Sequence, residues 1–158
     1  KDYYLINDLS IKVGGNNFTH IDHILAGNKF IYVITDCYFD GAIGARREDQ
    51  SWVYYLRGGK KEFIPNPLLV NRTVMERLSI FSRINSSYFV GIVLVNDDAF
   101  VTPFDNVEGE PIFTPLSRLN KVVASYEKRD VQPFSDIELH QVVADLHALG
   151  QKDHEQKH

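Results

Sequence analysis

Apolar and polar residues alternate through the first third of the chain, the pattern a half-buried strand requires, and helical spacing takes over after residue 65. Tyr3–Lys12 is rich in aromatic and branched residues and runs into Gly14-Gly15-Asn16-Asn17, a turn cluster because Gly and Asn tolerate positive φ. Thr19–Ala26 is the second predicted strand, Gly27-Asn28 the next turn and Lys29–Cys37 the third strand. Gly41 to Gly44 and Trp52–Leu56 read as shorter strands, and the meander stops at Pro65-Asn66-Pro67. Asn66 before Pro67 is a cap and first-turn pair, opening a helix over about 67–83 with Leu68, Leu69, Met75 and Leu78 turned inward. Tyr88–Val95 is continuously apolar, as in a strand buried on both faces in the middle of a sheet. Thr114-Pro115 opens a second predicted helix, with Leu116, Leu119, Val122, Val123 and Tyr126 inward. Ser135 and Glu138 form a capping box for a third, striped by Leu139, Val142, Val143, Leu146 and Leu149 and stopped at Gly150.

The order predicts an α/β (α+β) fold: one mixed sheet with an N-terminal antiparallel meander, flanked by about three helices. The 158 residues suit a single domain over 1–150, followed by a polar tail over 151–158. With 44% hydrophobic and 24% charged residues the composition is that of a globular protein and excludes a disordered or fibrous chain. The apolar run of Tyr88–Val95 is about half of what a bilayer span requires, so no membrane span is expected. One cysteine, Cys37, excludes a disulfide framework and a cysteine-rich zinc site, and a reduced, cytoplasmic setting follows as the expectation. A start at Lys1 instead of Met reads as part of something longer.

The net charge of −4 is unevenly spread: residues 1–82 carry 10 Lys+Arg against 9 Asp+Glu, and residues 83–158 carry 7 against 12. Arg46, Arg47, Arg57, Lys60 and Lys61 fall in loops between strands, with Trp52, Tyr54 and Tyr55 interleaved. That mixture can clasp a nucleic-acid backbone and stack bases, and a solvated hairpin surface would look the same. So acidic a chain argues against high-affinity DNA binding.

In strand two, alternation puts His20, Asp22 and Ile24 on one face and Thr19, Ile21 and His23 on the other; in strand three it groups Thr35 with Cys37. A carboxylate on an apolar strand asks for a partner or a metal. Several features now fall in order: Asn7-Asp8 closing the first strand, Thr19 to Ile24, Phe30 to Cys37, Gly41-Ala42-Ile43, Trp52, and Asn66-Pro67 opening a helix. With Tyr88–Val95 and the Ser135 helix, they make residues 3–149 resemble the nuclease-related domain (NERD) family.

The resemblance implies a fold similar to PD-(D/E)XK nucleases, the restriction-endonuclease-like core. There an Asp on one strand and a Glu-x-Lys on the next hold a divalent, oxygen-seeking metal such as Mg²⁺, and the Lys orients the attacking water. Asp22 matches the first Asp and is the one metal ligand carried over; the Glu and Lys positions fall on Thr35 and Cys37, a neutral hydroxyl and an uncharged thiol. The family's helical Gln falls on Val70, with Asn71 beside it, and its N-terminal helix lies upstream of Lys1. Asp36 has the wrong parity to substitute, and Asp40 lies in the following turn.

The expectation is therefore a degenerate nuclease-fold domain without catalysis or cofactor, acting as a nucleic-acid-binding or regulatory module. Its expected partners are DNA or RNA, held weakly, or other domains of a longer chain, in the cytoplasm or on the cytosolic side of a membrane anchor. The alternative is a Mg²⁺-dependent endonuclease with ligands relocated around Asp22. Cys37 reads as a small buried hydrophobe, and His20 and His23 as hydrogen-bonding strand residues, because no further ligand has zinc spacing.

Overall fold

The computed structural model describes residues 3–157, with side chains through Gly150. Strands β1 (Tyr4–Gly14), β2 (Asn17–Ala26) and β3 (Ile31–Asp36) form the expected antiparallel meander. Strands β4 (Ala42–Gly44), β5 (Ser51–Tyr55) and β6 (Lys61–Pro65) follow, then helix α1 (Pro67–Ser82), β7 (Phe89–Val95), β8 (Phe100–Val101) and β9 (Ile112–Pro115). Helices α2 (Leu119–Glu127) and α3 (Asp136–Lys157) complete the described chain.

The fold is α+β, with two mixed sheets where one was expected. Five strands are ordered β1-β2-β3-β7-β9, and four are ordered β6-β5-β4-β8. The reason is edge availability: β3 is flanked by β2 and, in parallel, by β7, so β4 has no place beside it and starts a second sheet. Three strands escape the sequence pattern. β6 begins with Lys61-Glu62 and ends at Pro65, a composition suited only to an edge. β8 has two residues, and β9 occupies the stretch read as a helix start because its backbone is drawn into parallel pairing with β7.

α1 and α3 cover one face of the larger sheet, over a core of Ile6, Leu9, Ile24, Val33, Leu78 and Leu146. α2 covers the other, over Tyr32, Ile34, Ile92, Leu94 and Val123. A third cluster, with Cys37, Ile43, Trp52, Leu68, Val93 and Val95, joins the two sheets.

Several local expectations match. Asn66 is fully buried and caps α1 by accepting from the Leu68 amide at 2.9 Å, with Pro67 in the first turn. The Ser135 amide donates to Glu138 Oε1 at 2.8 Å and the Glu138 amide donates to Ser135 Oγ at 3.1 Å, the reciprocal capping box of α3. Gly150, expected as a stop, lies within α3, and a Cβ there would collide with the Leu9 side chain, so its smallness serves the packing of α3 on β1. Among the described residues no helix is long and apolar enough to cross a membrane.

Candidate functional site

The residues singled out around Asp22 gather where β1 and β2 bend. Alternation predicted opposite faces for Ile21 and Ile24, yet both belong to the same core cluster, as do Ile6 and Leu9 opposite them. Buried positions on both strands therefore step by three at the paired Asn7-Asp8 and Asp22-His23 segments, while Cα pairing of Asn7 with His23 and Leu9 with Ile21 continues. Asp8 adopts φ +55°, a left-handed conformation that a short polar residue tolerates, and it supplies the bend. Asn7-Asp8 thus kinks β1 and does not close it.

The bend sets two polar chains side by side. On one, His20 Nε2 lies 3.3 Å from Asp22 Oδ1 and 3.5 Å from Asp8 Oδ1, with Asp22 mostly covered and Asp8 largely exposed. On the other, His23 Nε2 donates to Asp36 Oδ2 at 2.8 Å, and its Nδ1 lies 2.7 Å from Asn7 Oδ1. Asp22 Oδ2 links the two by accepting from the Asp36 amide at 2.8 Å, where β2–β3 pairing has stopped at His23 and Ile34. Asp36 points to the His23 side, as its parity predicted, and its Oδ1 is buried without a hydrogen-bond partner.

Thr35 on β3 and Cys37 just after it face inward, each with its own hydrogen-bond partner. Asn71, fully buried on α1, donates through Nδ2 to Thr35 Oγ1 and to the Val33 carbonyl, both at 3.0 Å, and to the Ile92 carbonyl at 3.3 Å. The approach is close because β7 carries Gly91, where a Cβ would collide with Asn71 Oδ1 and Met75. Cys37 is 6% exposed, and its Sγ lies 2.9 Å from the Tyr54 hydroxyl. Burial pushes the thiol pKa above its ordinary value, the Tyr54 hydrogen bond opposing part of the shift, so Cys37 is a neutral thiol at physiological pH. Tyr54 is raised in turn by burial and by Cys37.

A Mg²⁺ ion calls for several converging oxygens in near-octahedral geometry. Both Asp22 oxygens already have partners, and the Thr35 hydroxyl is held by Asn71. Among the described residues, no three His, Cys, Asp or Glu side chains converge in a way that could hold a metal ion. The donor set as placed does not fit the divalent ion that the resemblance implies.

The five basic candidates divide. Arg47 bridges two loops: its Nε donates to the Asp105 carbonyl and its Nη2 to Asn106 Oδ1 and the Pro111 carbonyl, with the guanidinium 5.5 Å from the centre of the Phe104 ring. Desolvation and neighbouring Arg72 lower its pKa, with Glu48 opposing them. The Arg46 carbonyl accepts from Trp52 Nε1 and Asn66 Nδ2, leaving an exposed side chain on an anchored backbone. Arg57, Lys60 and Lys61 are exposed at the β5–β6 turn, and Lys61 Nζ lies 5.7 Å from the centre of the Tyr55 ring. Trp52, expected among the stacking residues, is fully buried against Phe104 and Phe113.

Sequence reasoning missed the Asp8 bend and the two exposed phenylalanines beside Tyr55, Phe63 and Phe100. The first had a signal, two turn-forming residues inside an apolar strand; the others became visible only when β6 and β8 took their places.

A family model described as the nuclease-related domain, NERD, matches residues 1–96, from the start of the chain to the end of β7. Asp22, Thr35, Cys37 and all five basic candidates lie inside the matched stretch, and the segment from 97 to 149 lies outside it. No curated protein and no solved structure matches the chain.

Proposed function

The chain belongs to the nuclease-related domain family, and from that premise we propose that it is a nuclease-fold domain with a degenerate hydrolytic site, serving as a nucleic-acid-binding or regulatory module. The observation that carries this reading is the fate of the Glu-x-Lys positions. Thr35 offers no charge and its hydroxyl is committed to Asn71, while Cys37 is buried against Tyr54. Without the second carboxylate a divalent ion loses part of its charge balance, and without the ammonium nothing orients an attacking water or stabilises charge on the phosphate. Asp22 instead completes the hydrogen bonding of β3 through the Asp36 amide, a structural role open to a strand carboxylate.

The test is an endonuclease assay on duplex and single-stranded substrates with Mg²⁺ or Mn²⁺. The wild-type chain is expected to release no more product than Asp22→Ala. Metal-dependent cleavage that disappears in Asp22→Ala would overturn the reading and establish the alternative, an endonuclease whose ligands have moved around Asp22.

A further inference from the structure

The outer face of the smaller sheet carries a row of exposed aromatic rings that the Asp22 region does not use. Strand alternation turns Trp52, Tyr54, Ile43 and Val101 into the core, so Tyr55, Phe63 and Phe100 point the other way. Phe63 is 69% exposed, Phe100 78% and Tyr55 44%, far from where such side chains usually sit. Their places are fixed by register. Tyr55 pairs with Lys61 on one side and Ala42 on the other, and Ala42 pairs with Phe100. Phe63 stands two residues beyond Lys61 on the same face, opposite Val53. With strands about 4.8 Å apart, Tyr55 and Phe100 are roughly 10 Å apart across the sheet, and Phe63 lies about 7–8 Å diagonally from Tyr55. The residues between are small: the Tyr55 ring rests where a Gly44 Cβ would be in ordinary contact, and Ala42 fills the gap towards Phe100. The result is a shallow platform with raised rings.

Its charge is as distinctive as its rings. The chain as a whole carries −4, yet the β5–β6 hairpin carries Arg57, Lys60 and Lys61 against a single carboxylate, Glu62, which alternation turns to the opposite face. Lys61 stands by the Tyr55 ring, and Arg57 pairs with Asp40 at 3.7 Å, with both side chains almost wholly in solvent. That pair is screened by water and open to exchange for a stronger anion.

Rings that accept flat π-faces, spaced over adjacent strands and edged by cations, suit unpaired bases joined by phosphates. A duplex hides its base faces and would use only the cations. We propose that the outer face of the β4–β5–β6–β8 sheet binds single-stranded nucleic acid, with Tyr55, Phe63 and Phe100 stacking on bases and Arg57, Lys60 and Lys61 meeting the backbone. The proposal gives the binding module of the preceding reading a surface and a partner. It is judged by binding alone, so cleavage at Asp22 would defeat that reading while leaving this one to its own experiment.

Fluorescence anisotropy of labelled oligothymidylate and oligouridylate, with a labelled duplex for comparison, is measured over a range of salt with the full 158-residue chain. Single strands are expected to bind more tightly than duplex. Phe63→Ala and Phe100→Ala should each weaken binding by roughly tenfold, Tyr55→Phe should preserve it, and Arg57→Glu with Lys61→Glu should weaken it and flatten the salt dependence. Both phenylalanines are exposed, so the variants should keep the wild-type circular dichroism spectrum. Preference for duplex, binding that the aromatic variants leave unchanged, or a wild-type dimer in light scattering that Phe63→Ala dissociates would each overturn the proposal, the last assigning the face to a second copy of the chain.

Discussion

Cys37, the position to which the resemblance assigns a lysine, has surroundings in which a charge would be costly. It shares a cluster with Ile43, Trp52, Leu68, Val93 and Val95, and its thiol lies beside the Tyr54 hydroxyl. A buried ammonium without a paired anion would shed its proton or unfold its surroundings, whereas a thiol is a small apolar group with a weak donor. The same environment makes the thiol inert. Alkylation at mildly alkaline pH is expected to be on the order of 100-fold slower in the native protein than in the urea-unfolded chain. Stoichiometric labelling at equal rates in the two states would show instead an accessible, activated cysteine. Asn71 works at the same scale: its amide ties α1 to β3 and β7 through one side chain, and Gly91 leaves it room.

Helix α3 shows how an element is set by its first turn. Its capping box was legible as Ser135 followed three residues later by Glu138, and both reciprocal hydrogen bonds form. The Glu138 carboxyl pKa is lowered, chiefly by the Ser135 amide hydrogen bond and then by the Ser135 hydroxyl. A carboxyl depressed in the folded state adds stability above its unfolded pKa, near 4.5, and loses it as the pH falls through the lower folded value. Loss of the N-cap hydroxyl in Ser135→Ala is expected to cost about 1 kcal/mol at neutral pH by urea denaturation. The stability gap between wild type and Glu138→Gln should narrow as the pH is taken below that range; a gap that stayed constant would mean that Glu138 acts without its charge. β9 shows the opposite case, an element that local sequence did not announce. Ile112–Pro115 ends in a proline and precedes a helix, and only parallel pairing with β7 makes it a strand. Its free edge is closed by Asn106, whose side chain accepts from the Phe113 amide and donates to the Phe113 carbonyl, standing in for a further strand.

At the scale of the whole molecule, the two sheets share one core. The cluster around Trp52 includes Val93 and Val95 from the larger sheet, Ile43 from the smaller and Leu68 from α1, so neither sheet can open without exposing the other's side chains. Trp52 is the chain's one tryptophan and is fully buried, which makes its fluorescence a reporter for that junction. Urea transitions followed by Trp52 fluorescence and by far-ultraviolet circular dichroism are expected to coincide, as in a single cooperative unit. Two separated transitions would show that the smaller sheet unfolds independently. The sequence by itself determined the meander, the buried strand β7 and the caps of α1 and α3, because each is encoded by neighbours in the chain: period, turn residues and capping pairs. Tertiary structure alone decided the division into two sheets, the bend at Asp8 that carries Ile21 and Ile24 into one core, the burial of Trp52 and the exposure of Phe63 and Phe100. Those outcomes depend on which strand edges are already occupied and on which face another layer covers, and residues distant along the chain settle both.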